Sequence, residues 1–178
     1  VLLGPLEPGF WGHVTQDATF TSAAHDPLDA WSTSVITALG SQLGATPLFP
    51  FGGPPFQPFI SWALNSGEAW LSPVGLLVHK EAGLMASYRG ALRFDHHVEL
   101  PPPAARPCDT CDGRPCLTAC PVEAIGADGY DVPLCQAHIA TDPVCQNGCR
   151  VRLACPLSQS YGREPAQTAF HMSAFRGE

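Results

Sequence analysis

The segment Cys108-Asp-Thr-Cys111-Asp-Gly-Arg-Pro-Cys116-Leu-Thr-Ala-Cys120-Pro121 places four thiols close together in the chain. A second, looser set follows and completes the eight cysteines: Cys135, Cys145, Cys149 and Cys155, the last again followed by proline. Residues 1–107 contain no cysteine. A four-iron cluster needs four soft thiolate ligands, so two sets of four predict two iron–sulfur clusters. We expect these thiols to decide the fold of the segment that carries them.

The spacing also predicts how the thiols divide between the two clusters. In a run that ends Cys-x3-Cys-Pro, the fourth cysteine binds the neighbouring cluster in two-cluster proteins. The alternative is a division block by block along the chain. The favoured ligands are Cys108, Cys111, Cys116 and Cys155 for the first cluster, and Cys135, Cys145, Cys149 and Cys120 for the second.

Three other uses of the cysteines compete with iron. Four disulfides are typical of small secreted domains, whereas residues 1–107 can supply a core without crosslinks. Structural zinc sites favour paired Cys-x2-Cys motifs, and the second set has none. The third alternative is that the cysteines are reduced thiols scattered through the core, but such thiols would not be expected to cluster in one segment of the sequence. The sequence therefore favours iron–sulfur clusters over these alternatives.

Composition and charge limit the kinds of partner that this chain can bind. The chain has 178 residues, 45% of them hydrophobic, and a formal net charge of −7. All nine Lys and Arg residues lie after residue 79. Such an acidic surface repels phosphate backbones, which predicts no binding of nucleic acid. No apolar run approaches the roughly 20 residues of a membrane span. No basic, apolar leader opens the sequence, although an upstream segment could precede Val1.

Alternating helix and strand patterns predict a small α/β domain over residues 1–100. Its clearest helix has Asp26 as N-cap, Pro27 in the first turn and Gly44 as the stop. Residues 74–79 are predicted as a strand, with 84–94 as its antiparallel partner. Shorter strands are expected at 1–4 and 46–49, and shorter helices at 8–16 and 58–65. The apolar stripe expected on the main helix is Leu28, Trp31, Val35, Leu39 and Leu43.

A proline-rich linker is predicted at residues 101–107, followed by the cluster domain at 108–178. Metal ligation should dictate its structure, with brief helical turns at 117–120, 133–140 and 150–155 and a last helix at 166–175. Four apolar side chains are expected to keep water from the clusters: Val122, Ile125, Leu153 and Leu157.

The cysteine segment resembles the module of bacterial two-cluster ferredoxins. Its first run, together with Gly129-Tyr-Asp-Val-Pro-Leu-Cys135 and Gly148-Cys149, is most similar to the module that ends epoxyqueuosine reductases. The resemblance covers about residues 104–160 and implies a ferredoxin-like fold with two [4Fe-4S] clusters. The whole chain also resembles bacterial proteins described simply as ferredoxins, through Asp26-Pro-Leu-Asp-Ala-Trp31, Phe49-Pro-Phe-Gly-Gly-Pro-Pro-Phe56 and Ala166-Gln-Thr-Ala-Phe-His-Met172.

A weaker resemblance concerns the N-terminal half. The segment from Gly75 to Leu92, which contains His79, Gly83 and Arg89, is similar to the strand–turn–strand of cobalamin-processing proteins. Related domains have a nitroreductase-like α/β fold and hold cobalamin near iron. The resemblance therefore implies a nitroreductase-like domain at 1–100, with cobalamin or flavin as its cofactor. Lys80 stands where those proteins usually have proline after the histidine.

Residues outside the cysteines give weaker signals, and no catalytic residue can be named. His79 could face a cofactor, but a histidine at a hairpin edge is the favoured interpretation. The 49–59 loop could cradle a planar cofactor or close the sheet edge, and Arg89 is expected to pair with a carboxylate. His96 and His97 should point to opposite faces. Structural or surface roles are expected for the histidines without a spacing partner: His13, His25, His138 and His171.

Together these observations predict a soluble, cytoplasmic iron–sulfur electron-transfer protein, an electron carrier more than an enzyme. Its acidic surface should dock on a basic patch of a redox partner. The alternative is a reductase whose N-terminal half binds cobalamin or flavin and receives electrons from the clusters. A zinc-stabilised interaction module is a third, non-redox hypothesis.

Overall fold

Short strands and helices build the N-terminal half of the computed structural model, which describes residues 1–177. The strands are β1 (Leu2–Leu3), β2 (Thr46–Leu48), β3 (Ala69–Leu71), β4 (Leu77–His79) and β5 (Gly90–Arg93). The helices are α1 (Phe10–Val14), α2 (Ala18–Ser22), α3 (Pro27–Leu43) and α4 (Phe59–Leu64). The mixture of helix and small sheets agrees with the expected alternation. The nitroreductase-like fold stays a prediction.

Strand β5 lies at the centre of an antiparallel sheet with the order β1-β5-β2. Leu2 is opposite Ala91, and Pro47 is opposite Leu92. The predicted pairing of 74–79 with 84–94 was wrong, because β4 pairs with β3 instead and Val78 is opposite Trp70. An isolated bridge from His79 to Gly83 closes the turn that precedes the second predicted strand. The chain leaves that hairpin at Gly83 because Leu84 is buried against the C-terminal half.

Helix α3 has the predicted bounds but a different buried face. It ends at Gly44 in the left-handed conformation, where the Ala45 N–H bonds the Gly40 carbonyl. The buried residues are Leu28, Ser32, Ile36 and Gly40. Of the predicted stripe, Val35 is 40% exposed and Leu43 is 51% exposed. Small residues face inward because the backbone is close: a Cβ at Gly40 would lie 2.8 Å from the Ala45 carbonyl oxygen. Asp26 precedes α3 but makes no side-chain cap.

Short helices and two small strands form the C-terminal half. One-turn 3₁₀ helices cover Pro107–Asp109 and Pro115–Leu117, and β6 (Ile125–Gly126) pairs with β7 (Gly129–Tyr130). The predicted last helix and the turns at 133–140 and 150–155 are confirmed. The helices are α5 (Val132–Ile139), α6 (Pro143–Asn147), α7 (Arg150–Leu153), α8 (Pro156–Ser160) and α9 (Pro165–Arg176).

The main core joins residues from both sides of the predicted linker. Val78 and Leu84 pack with Cys116, Ile125 and Val151 in one buried cluster. A second cluster of Trp11, Val14 and Leu28 packs against Phe170 of α9. Residues 101–106 have no regular structure, and the Ala104 N–H bonds the Gly67 carbonyl at 2.9 Å. The division into domains at 100 and 108 stays a prediction.

Among residues 1–177, no helix combines the length and the apolar character that a membrane crossing needs.

Candidate metal centre

One cavity gathers the first predicted set of thiols. It is lined by Cys108, Cys111, Cys116 and Cys155, together with Val78 and Leu84 of the N-terminal half. Cys116 is buried and the other three are half-buried. The cavity therefore combines four sulfur donors with apolar side chains.

Proline and positive-φ residues place these cysteines locally. Cys108 and Cys116 each follow the proline that starts a 3₁₀ turn, and Cys155 is the N-cap of α8 with Pro156 in the first turn. Proline suits this position because its fixed φ matches the helix. It also lacks the backbone N–H, which in any other residue would have no partner within the helix here. Between the turns, Gly113 has φ 68° and Arg114 has φ 40°. This left-handed reversal lets Cys111 and Cys116 approach the same cavity.

A second cavity gathers the other predicted set. It is lined by Cys120, Cys135, Cys145 and Cys149, with Ile125, Val151 and Met172 among its apolar residues. Four different segments contribute: the loop after Leu117, α5, α6 and the N-cap of α7. The Tyr130 hydroxyl donates to the Cys135 Sγ at 3.5 Å. The structure thus brings together the two sets that the spacing predicts, and iron ligation by them stays a prediction.

Burial disfavours the charged form of several thiols. It raises the pKa of Cys116, and nearby Cys108, Cys155 and Cys111 raise it further. In the second cavity, burial and then the charge of Asp142 raise the pKa of Cys145 to about 11. Four adjacent thiolates repel one another, so they need a bound cation to stay deprotonated. Without a cation we expect Cys116 and Cys145 to hold their protons at neutral pH.

The donor set fits two four-iron clusters. All eight cysteines are free thiols, and each cavity holds four of them beside apolar side chains. Sulfur-only coordination favours iron–sulfur clusters or zinc over calcium and magnesium, which take oxygen ligands. A cluster in the first cavity would be held by Cys108, Cys111, Cys116 and Cys155, and one in the second by Cys120, Cys135, Cys145 and Cys149.

Three of the four apolar side chains expected around the clusters are at least partly buried. Ile125 is buried, and it lines the second cavity together with half-buried Val122. Leu157 is half-buried on α8 and Leu153 is 43% exposed on α7. The residues that line the two cavities include neither of them, so their role in excluding water stays a prediction.

A polar group beside the second cavity was missed in the sequence. His138 was given a structural or surface role without a spacing partner, and its Nε2 lies 2.8 Å from the Asp142 Oδ2. The Arg150 guanidinium donates to the same oxygen at 3.2 Å. His138, Asp142 and Cys145 each place a ligand atom within 4.8 Å of the others. The i, i+4 spacing of His138 and Asp142 was the signal that could have shown this contact.

Asp142 also starts the helix that carries Cys145. Its Oδ1 accepts the Val144 N–H at 2.8 Å, which caps α6. That hydrogen bond, followed by those from His138 and the Cys145 N–H, lowers the pKa of Asp142. Asp142 is therefore a positioning residue for Cys145.

Replacing Asp142 with alanine should lower stability by about 1 kcal/mol through the lost cap and should speed the loss of iron to a chelator. The matched control is Asp17→Ala, which removes the cap of α2 (Thr19 N–H to Asp17 Oδ1, 2.7 Å) far from both cavities. Thermal unfolding and iron retained after chelator treatment are measured. Equal iron retention in the two variants would contradict the positioning role.

The other candidate residues have structural partners. Arg89 pairs with Asp29 and donates to the Ser32 hydroxyl at 3.1 Å, as expected for carboxylate pairing. His79 ends β4, where its ring accepts two backbone N–H groups of the following turn. His96 contacts the neighbouring Asp95 carboxylate at 3.0 Å and is exposed. In the 49–59 loop, Phe49 and Phe51 stack on each other and Phe51 lies under Arg89.

Compared with protein-family models, with curated proteins and with solved structures, the chain matches none of them.

Proposed function

We propose that this protein is an iron–sulfur electron carrier with two [4Fe-4S] clusters, one in each cysteine cavity. A cluster of this type accepts and returns one electron at a time. The observation that carries the proposal is the gathering of all eight cysteines, four to a cavity, as free thiols beside apolar side chains. Zinc would use the same donors, but it would not explain the Cys116-x3-Cys120-Pro121 spacing of cluster proteins or the second Cys-Pro at Cys155.

The residues around each cavity support a redox role in two ways. Apolar neighbours such as Val78, Leu84 and Ile125 keep water from the sulfur ligands, and burial of this kind is one factor that sets a reduction potential. Cys149 and Cys155 are also the N-cap residues of α7 and α8. Both thiols therefore lie at a helix N-terminus, whose partial positive charge favours negative charge nearby.

A protein partner with a basic surface suits this carrier. The exposed carboxylates of Glu123, Asp128 and Asp131 lie beside the β6–β7 hairpin, which follows Cys120 and precedes Cys135. They give the edge near the second cavity a negative charge. Opposite charge on a partner would guide docking there and would bring the partner close to this cavity. The cobalamin or flavin expected for residues 1–100 and the cytoplasmic location stay predictions.

A potentiometric titration of protein purified without air tests the proposed function. The sample is reduced stepwise and followed by visible absorbance and electron paramagnetic resonance. We expect about two electrons per chain, one for each four-iron cluster. A preparation that holds metal but takes up no electrons across the range of biological cluster potentials would contradict an electron-carrier function and favour zinc.

A further inference from the structure

A cleft in the N-terminal half has the size of a small-molecule site. Its volume is about 820 Å³, whereas ligand pockets are typically about 300–1,000 Å³. One side is formed by β1, β2 and β5 through Leu2, Leu48 and Ala91, and the other by α4 through Trp62. The segment at Leu100 and the Tyr161 ring complete it. None of the residues assigned to the cysteine cavities is needed to form this cleft.

The cleft favours an uncharged, flat ligand. Aromatic side chains line it at Trp62, Tyr88 and Tyr161, and these can stack on or flank a ring. Its carboxylate, Glu68, is already paired with the Lys80 Nζ at 2.6 Å. The Arg93 side chain belongs to an exposed residue. The Val1 ammonium also lines the cleft, and it donates to the Leu92 carbonyl at 2.9 Å. Val1 and Arg93 are both exposed, so a ligand in the interior meets mainly apolar groups, hydroxyls and amides.

His79 offers this cleft a hydrogen-bond donor. Its Nδ1 accepts the N–H groups of Glu81 and Ala82 at 3.2 and 3.3 Å. In neutral histidine one ring nitrogen accepts and the other carries the proton, so the proton is on Nε2. Burial lowers the pKa of His79, which favours the neutral form. The nearest carboxylate oxygen, Glu68 Oε2, is 3.9 Å from Nε2 and too far for a hydrogen bond.

The same turn separates the cleft from the first cysteine cavity. His79 and Ala82 line the cleft, whereas Val78 and Leu84 line the cavity of Cys108 and its partners. One layer of the chain thus lies between the two sites. The Leu84 N–H donates a hydrogen bond to the Ser158 hydroxyl at 2.9 Å, and this contact holds the turn against α8.

We propose that this cleft binds an uncharged planar compound of the quinone class, with a ring carbonyl oxygen accepting the His79 Nε2–H. The size, the aromatic side chains and the pairing of Glu68 with Lys80 favour a flat neutral ring, and the His79 Nε2 donor favours a carbonyl. The choice of quinones among such compounds rests on the proposed function, because a reducible ligand is the one that suits a site beside a redox centre.

Equilibrium dialysis with the protein purified without air tests this site. The probe is 2,3-dimethyl-1,4-naphthoquinone, whose blocked ring positions prevent addition of the cysteine thiols. The matched ligand is 2,3-dimethylnaphthalene, which has a similar shape and no carbonyl. We expect saturable binding of one quinone per chain, and weaker binding of the hydrocarbon by about three- to tenfold, the value of one hydrogen bond.

Two variants locate the binding. His79→Asn keeps an oxygen where Nδ1 accepts the turn N–H groups but removes the Nε2 donor. It should weaken quinone binding about three- to tenfold and leave the hydrocarbon unchanged. Ala86→Trp should abolish binding of both probes, because half-buried Ala86 lines the cleft and an indole there would fill it. Thermal unfolding of each variant shows whether the fold is intact.

The proposal is overturned if the quinone shows no saturable binding, if both probes bind equally, or if His79→Asn weakens both probes to the same extent. Tighter binding of flavin mononucleotide or hydroxocobalamin than of the quinone would also overturn it. Iron and sulfide are counted in every sample. If the protein contains iron but does not bind the quinone, the quinone site is refuted and the electron-carrier function is not. If the protein contains no iron, the electron-carrier function is refuted, and the dialysis result alone shows whether the cleft binds the quinone.

Discussion

Replacing Cys116 with alanine should remove about half of the iron and sulfide of the anaerobically purified protein, because three thiols do not complete a four-iron site. Cys116 is the buried member of the first set and also belongs to the core with Val78 and Leu84. Cluster binding and folding are linked, so the variant should lose about 3 kcal/mol or more of stability. Cys149→Ala should have the same effect on the second cavity, which its thiol lines.

Controls in the same segments separate ligand loss from local disturbance. Thr118→Ala changes an exposed residue two positions after Cys116, and Val144→Ala changes one that is 53% exposed beside Cys145. Both should keep full iron and near-normal unfolding temperatures. Iron analysis and thermal unfolding are measured on all four proteins. Full iron and unchanged stability in Cys116→Ala or Cys149→Ala would show that the ligand assignment is wrong.

Replacing Gly83 with alanine should cost about 2–4 kcal/mol of unfolding free energy, because the new methyl group meets two obstacles. Gly83 has φ 56°, which disfavours any side chain. Its Cβ would also lie 2.6 Å from the backbone nitrogen of Ser158, so the turn would have to move off α8. Because α8 begins directly after Cys155, we also expect weaker iron retention in the first cavity.

Gly75→Ala is the matched control for this close approach. Gly75 has φ 73° but no atom within 4 Å of the position of a Cβ. Replacing it with alanine should lower the unfolding free energy by about 1 kcal/mol, because only the left-handed backbone conformation disfavours the side chain there. Chemical denaturation of both variants gives the difference. A cost for Gly83→Ala no larger than that for Gly75→Ala would contradict tight packing of the turn against α8.

Local features of the chain were predictable because neighbouring residues determine them. Pro27 and Gly44 mark the ends of α3 through their own backbone preferences, and the structure places the helix between them. The grouping of the cysteines followed from the rule that the fourth cysteine of a Cys-x3-Cys-Pro run binds the neighbouring cluster in two-cluster proteins. Arg89 was expected to pair with a carboxylate, but the sequence did not indicate that the carboxylate would be that of Asp29.

Features that depend on distant contacts were not predictable in this way. The central place of β5 between β1 and β2 depends on chain segments far apart in sequence. The buried face of α3 follows the close approach at Gly40 and Gly90, where small size matters more than hydrophobicity. The cleft is formed by segments as separate as Leu2, Trp62 and Tyr161, so no local pattern signals it.

Quantitation of iron and acid-labile sulfide in protein purified without air tests the central claim most directly. If each cavity holds a four-iron cluster, the brown protein should contain about eight iron and eight sulfide per chain. A colourless protein with neither iron nor sulfide, or one with about two zinc ions per chain in their place, would contradict it.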